Sequence, residues 1–144
     1  MTENKPKSRT FEDLQVWQKA IALAKSIYHL TANNEGLSQD YGLVDQLRRA
    51  SVSTSANIAE GFERKSKKEY LRFLSIAKGS VGEVRSLLRV AYEVGYIDAA
   101  THQEQRELAL KISRMLARQM KVLASYIAQP LPKRRYNSSN LKSL

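Results

Sequence analysis

The chain has no cysteine. Disulfides, zinc–thiolate sites and thiol nucleophiles are therefore excluded, and a reducing cytoplasm is compatible with the composition. Histidine is almost as scarce. His29 and His102 are the only two, and neither has a second histidine or a carboxylate cluster at ligand spacing. Catalysis and metal binding thus find no support: no enzyme and no cofactor is expected. Long apolar runs are missing too. None approaches the roughly 20 residues a membrane span needs, and the opening MTENKPKSRT lacks the apolar stretch of a secretory signal. A cytoplasmic protein without a membrane partner is expected. Period-two alternation is also absent, so no strands are expected.

Negative charge is the last thing in short supply. Fourteen Asp and Glu stand against 24 Lys and Arg, a formal net charge of +10 on 144 residues. A surplus that large on a small protein favours polyanionic partners: RNA, DNA or an acidic membrane face.

The chain is long enough for one domain with a real core. Residues 1–9 read as a flexible basic arm, 10–129 as the folded domain, and 130–144 as a basic tail that is disordered when free. Thr10, with Asp13 three residues on, marks the start of a first helix over about 11–32. It carries two apolar stripes: Leu14, Trp17, Ile21, Ala24 and Tyr28, and beside it Val16, Ala20, Leu23, Ile27 and Leu30. Asn33-Asn34-Glu35-Gly36 is a break. Ser38 is placed as the cap of a second helix over about 39–61, with Leu43, Leu47, Ala50, Thr54 and Ile58 inward and Gly61 as its C-terminal cap. The box Ser66–Glu69 opens a third helix that runs to about Val94 and ends at Gly95. Its stripe, Tyr70, Leu74, Ala77, Val81, Val84, Leu88 and Ala91, holds a heptad-like spacing, with Phe73, Ile76, Leu87, Val90 and Val94 on a flank. A second box, Thr101 to Glu104, opens the fourth helix, which Pro130 and Pro132 stop. Its stripe is Leu108, Ile112, Met115, Gln119, Val122 and Tyr126, with Ala109, Leu116, Leu123 and Ile127 beside it.

The expectation is an all-α, antiparallel up-down four-helix bundle. A lone bundle needs one buried face per helix, so the extra stripes point to a homo-oligomer.

Several residues read as structural. Trp17 belongs to the first stripe. Asn57 is expected to face inward and to bond a neighbouring helix or the chain after Gly61, in preference to a ligand. Gly79, Ser80 and Gly82 sit mid-helix, where each glycine costs about 0.5–1 kcal/mol; close approach of another helix is the expected compensation. Arg48, Arg49 and Glu60, with Asp45 and Glu63 nearby, are expected to pair between helices. The remaining cations form the candidate nucleic-acid surface. They are a basic turn at Arg64, Lys65, Lys67 and Lys68 with Arg72 one helical turn on, then Lys78, Arg85 and Arg89. Arg114, Arg118 and Lys121 follow on the fourth helix with Arg106, and Lys133, Arg134 and Arg135 in the tail with Lys142. Such positions suit phosphate contacts, which bind without reading sequence.

Four segments carry a family resemblance: FEDLQVWQKA at 11–20, YGLVDQLRRASVS at 41–53, NIAEG at 57–61 and KKEYLRFLSIAKGSVGEV at 67–84. In order and spacing they resemble the four-helix bundle family linked to intervening sequences of large-subunit ribosomal RNA genes. The resemblance spans about 11–127. It implies a homopentamer with a central channel. It extends to the accessory variability determinant proteins of diversity-generating retroelements, basic pentameric bundles that bind nucleic acid and a partner reverse transcriptase. Two stretches depart from the family pattern. Thr54-Ser55 stands where Ile-Pro is usual, and Gly82-Glu83-Val84-Arg85 stands where Glu-Leu-Glu is usual. The second adds positive charge and leans toward the nucleic-acid-binding branch. The alternative function is a scaffold of the same family whose charge meets an acidic protein.

Overall fold

The computed structural model describes residues 10–129. The expectations for the arm at 1–9, for the stop at Pro130 and Pro132, and for the tail cations Lys133, Arg134, Arg135 and Lys142 lie outside them. Within 10–129 the chain is helical throughout, with no strand among the described residues. A 3-10 turn at Phe11–Asp13 leads into α1 (Gln15–Asn33), α2 (Glu35–Gln39), α3 (Tyr41–Glu63), α4 (Lys67–Glu93) and α5 (Ala99–Ala128).

The first turn is closed by the Thr10 N–H, which donates to Asp13 Oδ2 at 3.1 Å. It is pinned to α1 by an edge-to-face contact of Phe11 with Trp17, centroids 5.2 Å apart. The break after α1 is itself a short helix. Asn34 Oδ1 accepts from the Leu37 N–H at 2.8 Å, and Leu37 is fully buried. The cap of α3 is therefore Asp40, not Ser38: Asp40 Oδ1 accepts from the Leu43 N–H at 3.2 Å. An Asp side chain accepts more strongly than a serine hydroxyl and complements the positive helix start. The same reason moves the start of α5 from Thr101 to Asp98, whose Oδ1 accepts from the Thr101 N–H at 2.7 Å. That bond stabilises the ionised carboxyl and holds its pKa below the usual value. The box at Ser66 forms as expected, with the Glu69 N–H on Ser66 Oγ at 3.1 Å. Gly95 ends α4 with φ +85°. The Tyr96 N–H then reaches back to the Ala91 carbonyl at 2.9 Å, a closure that favours a residue without Cβ.

Helix α3 packs most extensively on α4, α4 on α5, and α1 on α3 and less on α5. The stripe of α4 is buried from Leu74 on, with Leu74, Ala77, Val81, Val84, Leu88 and Ala91 showing no exposed surface, while Tyr70 at its start is only half-buried. So is that of α3, at Leu43, Leu47, Ala50, Thr54 and Ile58. On α1 the buried line is Val16, Ala20, Leu23, Ile27 and Thr31, while Ile21 and Tyr28 of the other stripe face outward. On α5 the two stripes exchange roles. His102, Gln105, Ala109, Ile112, Leu116 and Leu123 are buried, and Val122 and Tyr126 are exposed. The exposed remainder also includes Tyr41, Val52, Ile76, Val90 and Val94.

One end of the molecule is tied by a polar cluster. Asn34 Nδ2 donates to the Tyr96 carbonyl at 2.7 Å, and the Tyr96 hydroxyl donates to Asp40 Oδ2 at 3.0 Å. The end of α1, the start of α3, the end of α4 and the approach to α5 are thus joined. Accepting that hydroxyl proton makes the neighbouring carboxylate hold the phenol protonated, so the Tyr96 pKa is raised. No helix among the described residues is long and apolar enough to cross a membrane.

Candidate nucleic-acid interface

The residues expected to be structural divide sharply. Gly61 is not a cap, because α3 continues to Glu63. It is instead a place where α4 packs tightly: a Cβ at position 61 would lie 2.8 Å from Phe73 Cβ and 3.3 Å from the Tyr70 carbonyl oxygen. Gly79 and Gly82, expected at such an approach, have nothing within 4 Å of the same built atom. Ser80 does face α3, 3.0 Å from Ser53 Oγ. Asn57 is half-buried, and its Nδ2 donates to the Ser53 carbonyl at 2.8 Å and to Ser53 Oγ at 3.0 Å. Its amide is satisfied one turn back on its own helix rather than by a neighbour, as short polar side chains often are.

The ion pairs among the described residues all stay within one helix or its cap. Arg49 pairs with Asp45 at 2.9 Å, Arg64 with Glu60, and Arg89 with Glu93 at 2.6 Å. No inter-helix pair forms at Arg48, Arg49 or Glu60. Arg48 reaches α1 differently: its Nε donates to Thr31 Oγ1 at 2.9 Å and its guanidinium lies 4.6 Å from the Tyr28 ring centroid. Exposed pairs at i,i+4 contribute only about 0.3–0.5 kcal/mol each, so they hold side chains in place rather than hold the fold.

In the basic turn, the cations lean on rings. Arg64 and Arg72 sit 4.9 and 5.3 Å from the centroid of Phe73, and Lys67 lies 5.3 Å from that of Tyr126. Lys65 and Lys68 are exposed. Along α4, Lys78 is exposed, Arg89 is committed to Glu93, and Arg85 is half-buried with its Nε buried and unpartnered.

A second concentration, free of ion pairs, lies between α1 and α5. There Lys19, Lys111, Arg114 and Arg118 line an open groove of about 680 Å³ together with Gln15, Gln18, Ala22 and Met115. No carboxylate lines it, and none of the ion pairs among the described residues involves these four cations. The Lys111 charge, at short range, pushes the Lys19 pKa below its ordinary value. Like charges held that close without a counterion make an electrostatic sink for an anion. Sequence reading found Arg114 and Arg118 and missed Lys19 and Lys111. Lys111 was within reach, since Lys111, Arg114, Arg118 and Lys121 recur at helical spacing on one face. Lys19 was not, because only the packing of α1 on α5 brings it there. The groove offers ammonium, guanidinium and amide donors in a row, the equipment for phosphate oxygens along a strand.

His29 is exposed and bonds Asn33 Nδ2 through its carbonyl at 2.8 Å. His102 is buried, its ring parallel to Tyr92 at 4.9 Å. Among the described residues no three His, Asp or Glu are grouped to hold a metal.

No curated protein matches this sequence. The fold resembles a crystal structure of a protein of unknown function from the S23 ribosomal protein family of Bacteroides thetaiotaomicron. The two superpose with a TM-score of 0.70 at 22% identity, over 74% of this chain and 98% of that one. Residues 12–118 match the sequence family described as 23S rRNA-intervening sequence protein. That span covers most of α1 through α5, including the helices that build the groove, and the chain belongs to the 23S rRNA-intervening sequence protein family.

Proposed function

We propose that this protein is a non-enzymatic, cytoplasmic nucleic-acid-binding bundle that holds RNA or DNA by backbone phosphates. The observation that carries the reading is the α1–α5 groove, with four cations and no carboxylate in its lining. Phosphate contacts of this kind give affinity without sequence preference. The basic turn around Lys65 and Lys68 is a second, weaker contact, since part of its charge is already answered by Glu60 and by aromatic faces.

The long helices α1, α3, α4 and α5 are proposed to run up-down-up-down, each antiparallel to the next. The shared polar cluster of Asn34, Asp40 and Tyr96 supports this, as does the order of packing. The assembly is proposed to be a homopentamer. Its support is the apolar surface left over on single chains, with Ile21 and Tyr28 on α1 and Val52 on α3 exposed, and the family resemblance. In its most specific form the protein is the accessory subunit of a diversity-generating retroelement, binding template RNA and the reverse transcriptase. A reverse transcriptase gene beside its own favours that form; a position inside a ribosomal RNA gene favours a plain intervening-sequence protein.

The test is binding of labelled single-stranded RNA, duplex RNA and DNA across a salt series, with the solution mass measured on the same sample. Affinity that falls steeply with salt and drops on neutralising Lys111 and Arg114 supports the groove. No binding at low salt overturns it and leaves a scaffold that meets an acidic protein. A mass of one 16.3 kDa chain overturns the pentamer.

A further inference from the structure

A second cationic cleft lies on the other side of α5. It measures about 320 Å³ and is lined by Gly82, Arg85, Ser86 and Arg89 of α4 and His102 and Arg106 of α5. It shares no residue with the α1–α5 groove.

Three features of this cleft lack a structural reason. Arg85 Nε is buried and has no hydrogen-bond partner. A guanidinium keeps its charge at any ordinary pH, so its N–H cannot escape the cost of burial by losing a proton. Arg106 lines the cleft from α5 and joins none of the ion pairs among the described residues. Arg89 is partly answered, giving its Nε to Glu93 at 2.6 Å, yet no carboxylate lines the cleft itself. The third feature is Gly82. Glycine inside a helix is unfavourable relative to alanine, and here nothing crowds the position, since a Cβ would meet no atom within 4 Å. Packing does not demand this glycine, and it leaves that part of the cleft lining open. His102 completes a rigid rim, its ring stacked within 6° of parallel on Tyr92.

We propose that this cleft is an oxyanion site that takes one phosphate group, held by the forked guanidinium groups of Arg85 and Arg106 with Arg89 beside them. Planar guanidinium forks match phosphate oxygens in pairs, and an anion in the cleft would answer the charge that Arg85 carries with its Nε unpartnered. The open wall at Gly82 leaves room for the phosphate and its ester substituent or water. The phosphate is inorganic or the terminal monoester of a nucleic acid. The site goes beyond the backbone-binding reading and stands whether or not the groove binds a strand.

Isothermal titration of the full chain with inorganic phosphate tests it. The expected result is saturable uptake of one phosphate per chain, weakened at least about tenfold by Arg106→Gln. Gly82→Ala is the second variant, because open space lets it fold normally while its methyl group narrows the cleft; it too is expected to weaken uptake, with an undiminished melting temperature. The groove variant Lys111→Gln/Arg114→Gln keeps wild-type uptake. Absence of saturable uptake overturns the site, as does wild-type affinity in both Arg106→Gln and Gly82→Ala, or an equal loss in the groove variant. The same titration with short oligonucleotides separates the sources. Tighter binding of a 5′-phosphorylated strand than of its 5′-hydroxyl twin, lost in Arg106→Gln, assigns the site to a nucleic-acid end. Equal binding of the two, with phosphate uptake intact, assigns it to the free anion.

Discussion

The α3–α4 seam and the α1–α5 seam solve opposite problems. Between α3 and α4 the chain places small side chains and lets the backbones close in. Ala50, Ser51, Thr54, Ser55, Ala77 and Ser80 are buried there or nearby, Ser53 and Ser80 touch, and Gly61 meets Phe73 with no room for a methyl group. Between α1 and α5 the chain places long cations and leaves a groove, with the Ser26–Gln105 hydrogen bond linking the same two helices further along. Close packing turns sequence into rigidity; a gap lined with one sign of charge turns it into a binding surface. At Gly61 crowding makes the residue structural, and at the groove the lack of crowding leaves the cations free to bind.

The sharpest way to break that contrast is in the seam. Gly61→Ala puts a carbon within van der Waals overlap of Phe73 Cβ, and neither backbone can retreat without moving a helix. A loss of about 1–3 kcal/mol is expected, read as a lower denaturation midpoint at unchanged slope. Unchanged stability would mean that α3 and α4 do not meet there.

Next comes the groove. Lys111→Gln with Arg114→Gln is expected to reduce single-stranded RNA affinity by more than about tenfold at low salt. It should also flatten the plot of log affinity against log salt by about 0.7 for each phosphate no longer neutralised. Neutralising Lys65 and Lys68 in the turn should cost less. The reverse ranking in a filter-binding or anisotropy titration moves the interface from the groove to the turn.

These two regions also show how far the sequence could be read. The stripe from Leu74 to Ala91 was legible because all of its residues turned inward, and a period of 3.5 residues leaves little choice of face. The caps at Asp40 and Asp98 were missed because a better acceptor stood close to the serine or threonine chosen. The glycines were misassigned because period alone does not say which one faces a neighbour. Gly61 looked like an end and was a contact, while Gly79 looked like a contact and is exposed. Asn57 looked inward because sequence cannot tell a bond to a neighbouring helix from one to its own. Lys19 is 92 positions from Lys111 in the chain (111 − 19), and no local pattern joins them.

Gly79→Ala is the smaller counterpart of the Gly61 test. With nothing within 4 Å, the methyl group adds helix propensity and no clash, so a gain of about 0.5–1 kcal/mol is expected. Opposite signs at two glycines only 18 positions apart (79 − 61) would establish that crowding, not residue type, sets the outcome.

The smallest effect concerns the charge in the groove itself. Lys19 titrates below its ordinary value of 10.5, chiefly because the Lys111 ammonium repels its proton. Between that lowered pKa and 10.5 the unfolded chain holds more protons at this position than the folded one. Stability therefore rises with pH through the window, and the folded state is penalised below it. Lys111→Gln removes the repelling charge, so the Lys19 side-chain resonance, followed by NMR titration, should move its midpoint up toward 10.5, and the window should close. A bound polyanion should shift the midpoint the same way by answering both charges at once. The two upward shifts have one cause, an uncompensated positive field across α1 and α5. A Lys19 midpoint indifferent to Lys111→Gln would mean that the two ammonium groups do not share that field, and the groove would be no different in kind from the self-compensated turn.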